Sequence, residues 1–313
     1  MFRSLLLRII QILRSVSRVP AEAIKEEGAG IKVPSEPIIE PPRKNVPTEP
    51  LKEIPEATVN KVDIDSRKAS YPAGVKNYEE QFETTHRDSD GVIYSFDVSD
   101  KFEFPLTFLR PKGVSNFYYK SSQKKTAVVL HFTVGYITGD IGTLIEQDSH
   151  MSVPFVIGRN GIVYQLFSSR YWSYHLGRGA IGGNTAGSKR SVAIELSNIG
   201  PLRLDGNNLN TIYGSKYCTL AETPFYTKLD TSYREYTYYA TFTDAQYESL
   251  KELLDYLCGN YNSPRQLMDE NKRYELFSSD EEARSYKGIC SHVNFRAYGK
   301  VDIGPAFDWN RIV

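Results

Sequence analysis

The chain has 313 residues, with 38 lysines and arginines against 38 aspartates and glutamates. A formal net charge of zero provides no overall attraction for a polyanion, which argues against a nucleic-acid partner. Hydrophobic residues are 40% and charged residues 24% of the sequence, a composition typical of soluble globular proteins. Three cysteines without Cys-x-x-Cys spacing exclude a disulfide framework and a thiolate zinc site, and leave one disulfide open.

Residues 1–18 have the pattern of a basic amphipathic helix. Four arginines lie on one face and a stripe of leucine, isoleucine, valine and phenylalanine lies on the other. The segment is too short and too often interrupted by arginine to span a membrane. Three interpretations stay open: a helix on an anionic membrane surface, a secretory signal ending near Ala21-Glu22-Ala23, or a helix on a protein partner or a frayed tail.

The next segment is predicted to be a linker. Residues 19–59 hold 8 of the 16 prolines, and residues 3–70 contain no aromatic side chain with which to build a core. We therefore expect a linker over residues 19–70 and one folded domain over residues 71–313. An extended linker of this kind would tether the domain to whatever holds residues 1–18.

In the folded part, strand signals alternate with helix signals. The predicted elements are a buried strand at Lys125–Thr133, a helix at 138–147, a hairpin of 153–157 and 162–167 around Asn160-Gly161, a strand at 191–196, and a helix at 243–258 that is capped by Thr243 and Gln246 and ended by Gly259. Cys258 falls on the apolar stripe of the last helix, which favours a core residue over a reactive thiol. The pattern predicts one α/β domain, with a central mixed sheet flanked by helices and a cleft at the strand ends.

Two of the five histidines fall into a pattern with an acid. His131 ends the first predicted strand, His292 lies near the carboxyl terminus, and Asp302 follows ten residues later. Two imidazoles and one carboxylate are a usual donor set of catalytic zinc. Each residue also has an ordinary structural interpretation, as a satisfied core histidine or a turn aspartate. Signatures of the GxSxG, P-loop, GxGxxG and HExxH types are absent from the sequence.

Five segments in order carry a family resemblance: VVLHFT, VPFVIGRNGIVYQLF, WSYHLGRG, KRSVAIELSN and SHVNFRAYGKVDIGPAFDW. With them the sequence resembles the type 2 N-acetylmuramoyl-L-alanine amidases, a zinc fold shared with phage amidase-lysozymes and animal peptidoglycan-recognition proteins. The resemblance extends from about Lys125 to Trp309, nearly the whole predicted domain.

The resemblance implies site residues by position. It implies His131, His292 and Asp302 as zinc ligands, Glu195 and Lys300 as catalytic residues, and His175 as a substrate contact. Other members carry a catalytic tyrosine at the position of Val153, so the resemblance leaves proton transfer to Glu195. Alternatives stay open: Glu195 as an ion-pair partner of Lys189 or Arg190, Lys300 as a solvated lysine, and His175 as a structural histidine.

The activity implied is zinc-dependent hydrolysis of the amide bond between N-acetylmuramic acid and L-alanine in peptidoglycan. The alternatives are a binding module of the same fold that does not cleave peptidoglycan, and a structural or virion component that carries the amidase. Presence of all three ligands and Glu195 favours catalysis. The implied partners are Zn²⁺ and peptidoglycan or a muropeptide. We further expect a monomer in the cell envelope, extracytoplasmic or membrane-associated, with a phage-encoded lytic protein as the alternative.

The remaining features have weaker signals. His150 is expected to be structural or exposed, Trp172 and Trp309 to be packing residues, and His86 has no assigned role. Residues 201–243 form a tyrosine-rich insertion. We expect it to be either a wall of a glycan or peptide cleft or a semi-ordered flap that packs on the domain.

Overall fold

A computed structural model describes residues 116–261 and 263–313, the backbone of two strands before them, and five single residues, Tyr71, Pro72, Val75, Glu79 and Phe82. The predicted amphipathic helix, the predicted linker and His86 lie outside the described residues, so the proposed domain boundaries stay predictions. None of the helices in the described part is long and apolar enough to cross a membrane.

A mixed seven-stranded sheet forms the centre of the domain, as predicted. Its strands are β1 (Tyr94–Ser99), β2 (Leu106–Pro111), β3 (Ala127–Phe132), β4 (Phe155–Ile157), β5 (Val163–Gln165), β6 (Ser191–Leu196) and β12 (Gly288–Ser291). Their order is β1-β2-β5-β4-β6-β3-β12. The neighbours β4, β6, β3 and β12 are parallel, whereas the β4–β5 and β1–β2 pairs are antiparallel.

The central strands are buried on both faces, which explains their continuous apolar sequence. In β3, Val128 and Leu130 pack into the core on one side of the sheet, and Val129 packs into a second core on the other side. His131 shares the side of Val129, because side chains alternate along a strand. The hairpin also forms as predicted, although β4 begins at Phe155, after Pro154, which has no N–H for the ladder.

Within the described residues from 116 onwards, four α-helices accompany the sheet: α1 (Ile137–Leu144), α2 (Asn184–Arg190), α3 (Asp244–Tyr261) and α4 (Asp280–Ser285). The predicted capping box at the start of α3 is present, since Thr243 and Gln246 exchange two hydrogen bonds of 3.1 Å. The predicted end at Gly259 is wrong. The helix continues to Tyr261, whose hydroxyl lies 2.6 Å from that of Ser169 and whose ring packs against the core. These tertiary contacts outweigh a glycine penalty of about 1 kcal/mol.

The tyrosine-rich insertion is a second sheet, so the expectation of a semi-ordered flap is wrong. Its strands are β7 (Pro201–Asp205), β8 (Asn208–Thr211), β9 (Lys216–Thr219), β10 (Tyr226–Tyr233) and β11 (Tyr236–Ala240), in the order β10-β11-β7-β8-β9 and antiparallel throughout. It has its own core around Leu202, Leu209 and Tyr217. The insertion begins where β6 ends, at the same edge of the central sheet as the predicted cleft.

The three cysteines, Cys218, Cys258 and Cys290, are buried free thiols. The disulfide that the sequence left open is therefore not formed. Cys258 packs in the core beneath α3, as predicted. Trp172 and Trp309 are buried as well, in agreement with their predicted packing role.

Candidate metal centre and catalytic site

Strand register assembles the site. In the parallel β3–β6 pair, His131 is opposite Glu195, so both side chains leave the same face of the sheet. On the other side of β3, Ser291 of β12 is opposite Leu130, and His292 follows at once, in a short 3₁₀ turn (His292–Asn294). The backbone N–H of Val293 donates to the carbonyl of Asp302 at 3.0 Å, which brings the acid beside the two histidines.

Three side-chain atoms converge at this point. Nδ1 of His131 lies 2.9 Å from Nδ1 of His292, and Oδ2 of Asp302 lies 3.1 Å and 2.8 Å from these two nitrogens. All three residues are at most 4% exposed. They form a buried group of histidines and acids whose ligand atoms are close enough to share a metal ion. The structure thus brings the three predicted ligands together.

The outer hydrogen bond of His292 determines which of its nitrogens is free. Its Nε2 lies 2.9 Å from the carbonyl oxygen of Leu176, and a carbonyl only accepts. Nε2 therefore carries the proton in the neutral ring. Nδ1, which faces His131 and Asp302, then has a free lone pair.

A chain of hydrogen bonds gives the same result for His131. The Ser191 hydroxyl donates to the carbonyl of Gly187 at 2.7 Å, so its oxygen accepts from Nε2 of His175 at 2.9 Å. Nδ1 of His175 then accepts from Nε2 of His131 at 3.1 Å. The proton of neutral His131 is therefore on Nε2, and Nδ1 is left with a lone pair. Burial lowers the pKa of His131 to about 4, so the ring is neutral at physiological pH.

With both rings neutral, the three acceptors have no proton between them and repel one another unless a cation lies among them. Two imidazoles and a carboxylate, with outer ring nitrogens held by the protein, are the donor set and the surroundings of a zinc site. The residues present therefore fit Zn²⁺.

Glu195 is an acid that lies beside this group, opposite His131 in the register of the two strands. Its Oε2 is buried and makes no hydrogen bond within the described part of the chain. Burial raises the pKa of Glu195 well above its ordinary value, the charge of Asp302 raises it further, and Lys300 opposes the rise. The alternative of an ion pair at the strand edge is wrong. The Arg190 guanidinium donates to the carbonyls of Ala283 and Tyr286, and the Lys189 ammonium lies 4.8 Å from the centroid of the Trp172 ring.

Lys300 lies near the same group. Its positive charge lowers the pKa of both His131 and Glu195, although other causes are larger. The side chain is half-buried, and no acid of the described residues forms an ion pair with it. This position suits the catalytic role implied by the resemblance, which stays a prediction.

His175 and His150 occupy different kinds of position. Both ring nitrogens of His175 form hydrogen bonds, with His131 and with Ser191, so the ring orients the predicted ligand His131. Its predicted contact with substrate stays a prediction. His150 stacks on the ring of Tyr119 at 4.3 Å and lies outside the metal group, which agrees with its predicted structural role.

Sequence reasoning missed Ser191. The sequence did contain a signal for it: Ser191 is a polar residue on a predicted buried strand, four residues before Glu195. Residues two or four positions apart on a strand share one face, so Ser191 lies on the same face of the sheet as Glu195. The carbonyl of Leu176 was not predictable, because every residue has a carbonyl and only the folded chain selects one.

Solved structures that are similar to this chain include three amidases. The chain is 18% identical to the N-acetylmuramyl-L-alanine amidase AmiD from E. coli, in a complex with anhydro-N-acetylmuramic acid-L-Ala-D-gamma-Glu-L-Lys, with a TM-score of 0.38 over 65% of this chain and 61% of AmiD. It is 14% identical to AmpDh3 from Pseudomonas aeruginosa, in a complex with an anhydromuramic pentapeptide, with a TM-score of 0.37 over 65% and 64% of the two chains. The match to the amidase LysC from Clostridium intestinale covers 66% of this chain and 93% of LysC, at 14% identity and a TM-score of 0.34.

The chain therefore spans less than two thirds of AmiD and AmpDh3. No curated protein sequence matches it. The family model described as N-acetylmuramoyl-L-alanine amidase matches residues 121–302, which contain both histidines, the aspartate and Glu195. Because this match covers more than half of the 313 residues, the protein belongs to the N-acetylmuramoyl-L-alanine amidase family.

Proposed function

We propose that this protein is a zinc-dependent hydrolase of the amide bond between N-acetylmuramic acid and L-alanine in peptidoglycan. The observation that supports it best is the convergence of three acceptor atoms, on His131, His292 and Asp302, beside Glu195, whose buried Oε2 has no hydrogen-bond partner among the described residues. Family membership supplies the substrate class, and the site supplies groups suited to hydrolysis of an amide.

Each residue has a role that its surroundings support. His131, His292 and Asp302 would hold Zn²⁺, which supplies a Lewis acid that polarises a carbonyl and lowers the pKa of water towards about 7. Glu195 would take a proton from the attacking water and pass it to the nitrogen of the leaving amine. Its raised pKa suits a group that must both accept and release this proton. The Lys300 ammonium would stabilise negative charge on the carbonyl oxygen.

The residue at position 153 supports the assignment of proton transfer to Glu195. It occupies the position of a tyrosine in related amidases, and its side chain is 1% exposed and packed in a core with Val156 and Ile141. It offers no hydroxyl group, so Glu195 would carry the proton transfer alone.

The alternative is a module that binds peptidoglycan without cleaving it. A complete donor set and an unpartnered Glu195 favour the hydrolase, because binding alone requires neither. Purified protein should contain one zinc per chain by metal analysis. Incubation with purified peptidoglycan should release stem peptides with a free L-alanine amine, identified by mass. Binding without release of peptides would establish the alternative, and protein without zinc would remove the proposed metal centre.

A further inference from the structure

The inserted sheet reaches the metal centre through the tip of its β10–β11 hairpin. Tyr233 pairs with Tyr236, so Arg234 and Glu235 form a two-residue turn. Both have positive φ, 47° and 75°. Asn-Gly adopts such a turn with the least strain, because the turn requires a left-handed backbone at both positions. Arg234 and Glu235 are therefore not the residues that this turn accommodates with the least strain.

The Arg234 side chain bridges the loop that precedes Asp302. Its guanidinium donates to the carbonyl of Lys300, and its two terminal nitrogens lie 3.4 Å and 3.5 Å from the carbonyl oxygen of Arg296. These carbonyls stand at the two ends of the loop 296–300, whose middle is open to solvent, with Tyr298 85% exposed. One side chain of the insertion thus ties together both ends of the segment that leads to a metal ligand.

Tyr233 contacts the chain on the other side of Asp302. A Cβ atom added to Gly304 would lie 3.4 Å from two carbon atoms of the Tyr233 ring, so the ring rests on this glycine. The tip itself is braced, since the hydroxyl of the buried Tyr239 donates to the carbonyl of Tyr233 at 2.8 Å. The hairpin tip therefore touches the backbone both before and after the metal ligand.

We propose that the tip of the β10–β11 hairpin is a clamp that holds Lys300 and Asp302 in the geometry required at the metal centre, and that Arg234 is its main positioning residue. The insertion then takes part in the site instead of only covering it. The catalytic consequence rests on the proposed function, whereas the consequence for metal binding does not.

The clamp is tested on the full-length protein with Zn²⁺ and a competing chromophoric chelator. Arg234→Ala removes the guanidinium. A second variant, Arg234→Asn with Glu235→Gly, removes it as well but supplies the turn sequence that the backbone favours, so this hairpin should fold at least as well as the natural one. Arg203→Ala is the matched control, because Arg203 lies on β7 of the same sheet and donates to the Tyr236 hydroxyl, but makes no hydrogen bond to residues 296–300 within the described part of the chain.

Both Arg234 variants should bind Zn²⁺ at least about tenfold more weakly, as expected when a group that orients a ligand is lost. Arg203→Ala should stay within about twofold of the natural protein. With peptidoglycan fragments, the two variants should lose kcat more than they raise KM. Natural zinc affinity in the Asn-Gly variant would overturn the clamp, because it would show that the guanidinium is dispensable. If the Arg234 variants lose zinc while the natural protein cleaves no amide bond, the clamp stands and the proposed function fails.

Discussion

Nδ1 of His175 lies 3.1 Å from Nε2 of His131, and this contact fixes which nitrogen of His131 can bind a metal. The contact depends in turn on Ser191, whose oxygen accepts from the other nitrogen of His175 at 2.9 Å. The Ser191 hydroxyl makes no contact with His131, yet through His175 it determines which nitrogen of this predicted ligand carries the proton.

We expect Ser191→Ala to weaken Zn²⁺ binding by about 10–100-fold, because His175 loses the acceptor that orients it. Affinity is measured by competition with a chelator. Ser249→Ala is the matched control, since Ser249 is also buried and its hydroxyl donates to a carbonyl, that of Gly161, at 2.6 Å. Equal zinc affinity in the two variants would contradict the orienting role of Ser191.

Replacement of Glu195 tests proton transfer. Glu195→Gln should fold and bind zinc but lose about 10²–10⁴-fold in turnover, because an amide side chain cannot accept the proton. In the natural protein, activity should decrease as the pH is lowered. The decrease should begin at a pH above the ordinary pKa of a glutamate, because burial raises the pKa of Glu195 and the carboxyl group must be ionised to act. Near-natural turnover of the glutamine variant would direct attention to Lys300.

Asp140 provides a test of stability against pH. The carboxyl is buried in α1 and accepts hydrogen bonds from Thr133 at 2.6 Å and Ser197 at 2.8 Å. Burial nevertheless raises its pKa to about 6. The folded state therefore binds this proton more tightly than the unfolded state. Its contribution to stability is largest below pH 4 and is lost as the pH rises through about 6.

Asp140→Asn should accordingly raise the free energy of unfolding at pH 7 by up to about 3 kcal/mol, and by little at pH 4. The measurement is urea unfolding of metal-free protein at both values. Asp230→Asn, at an exposed position on β10, is the control and should show no such difference. If Asp140→Asn raised the free energy of unfolding as much at pH 4 as at pH 7, the charge of Asp140 would not be the cause of the stabilisation.

The parts of the fold that follow from local pattern were predictable. The run KTAVVLHFT gives β3, Asn160-Gly161 gives the β4–β5 hairpin, and Thr243 with Gln246 gives the start of α3. The end of α3 was not predictable, because contacts of Tyr261 with Ser169 decide it across 92 residues of sequence. The five strands of the insertion were hidden, because their alternation is weak and their tyrosines suit a loop as well as a strand.

For the site, residue types and their order pointed to His131, His292 and Asp302 as the group that could hold a metal ion, whereas the sequence did not reveal the groups around them. Ser191 and the carbonyl of Leu176 become meaningful only when the register of β3 and β6 is known. The contact of Arg234 with the carbonyl of Lys300 likewise depends on where a hairpin of the insertion ends.

The amino-terminal segment has the sequence pattern of a helix that lies on a membrane surface. Residues 1–18 carry four arginines on one face and an apolar stripe on the other, so the full-length protein should bind anionic vesicles, and salt should weaken the binding. Deletion of residues 1–59 should abolish the binding and leave hydrolysis of soluble fragments intact, because the metal group, Glu195 and Lys300 all lie beyond residue 125.

Vesicles of zwitterionic lipid serve as the control, and co-sedimentation measures the bound fraction. A variant with all four arginines changed to glutamine keeps the apolar stripe and should lose most of the preference for anionic lipid, because each basic residue near the surface contributes about 1 kcal/mol. A truncated protein that fails to fold would show that the domain begins before residue 60. Mature protein that lacks the segment would instead support the secretory signal, since a segment removed on export cannot hold the domain at a membrane.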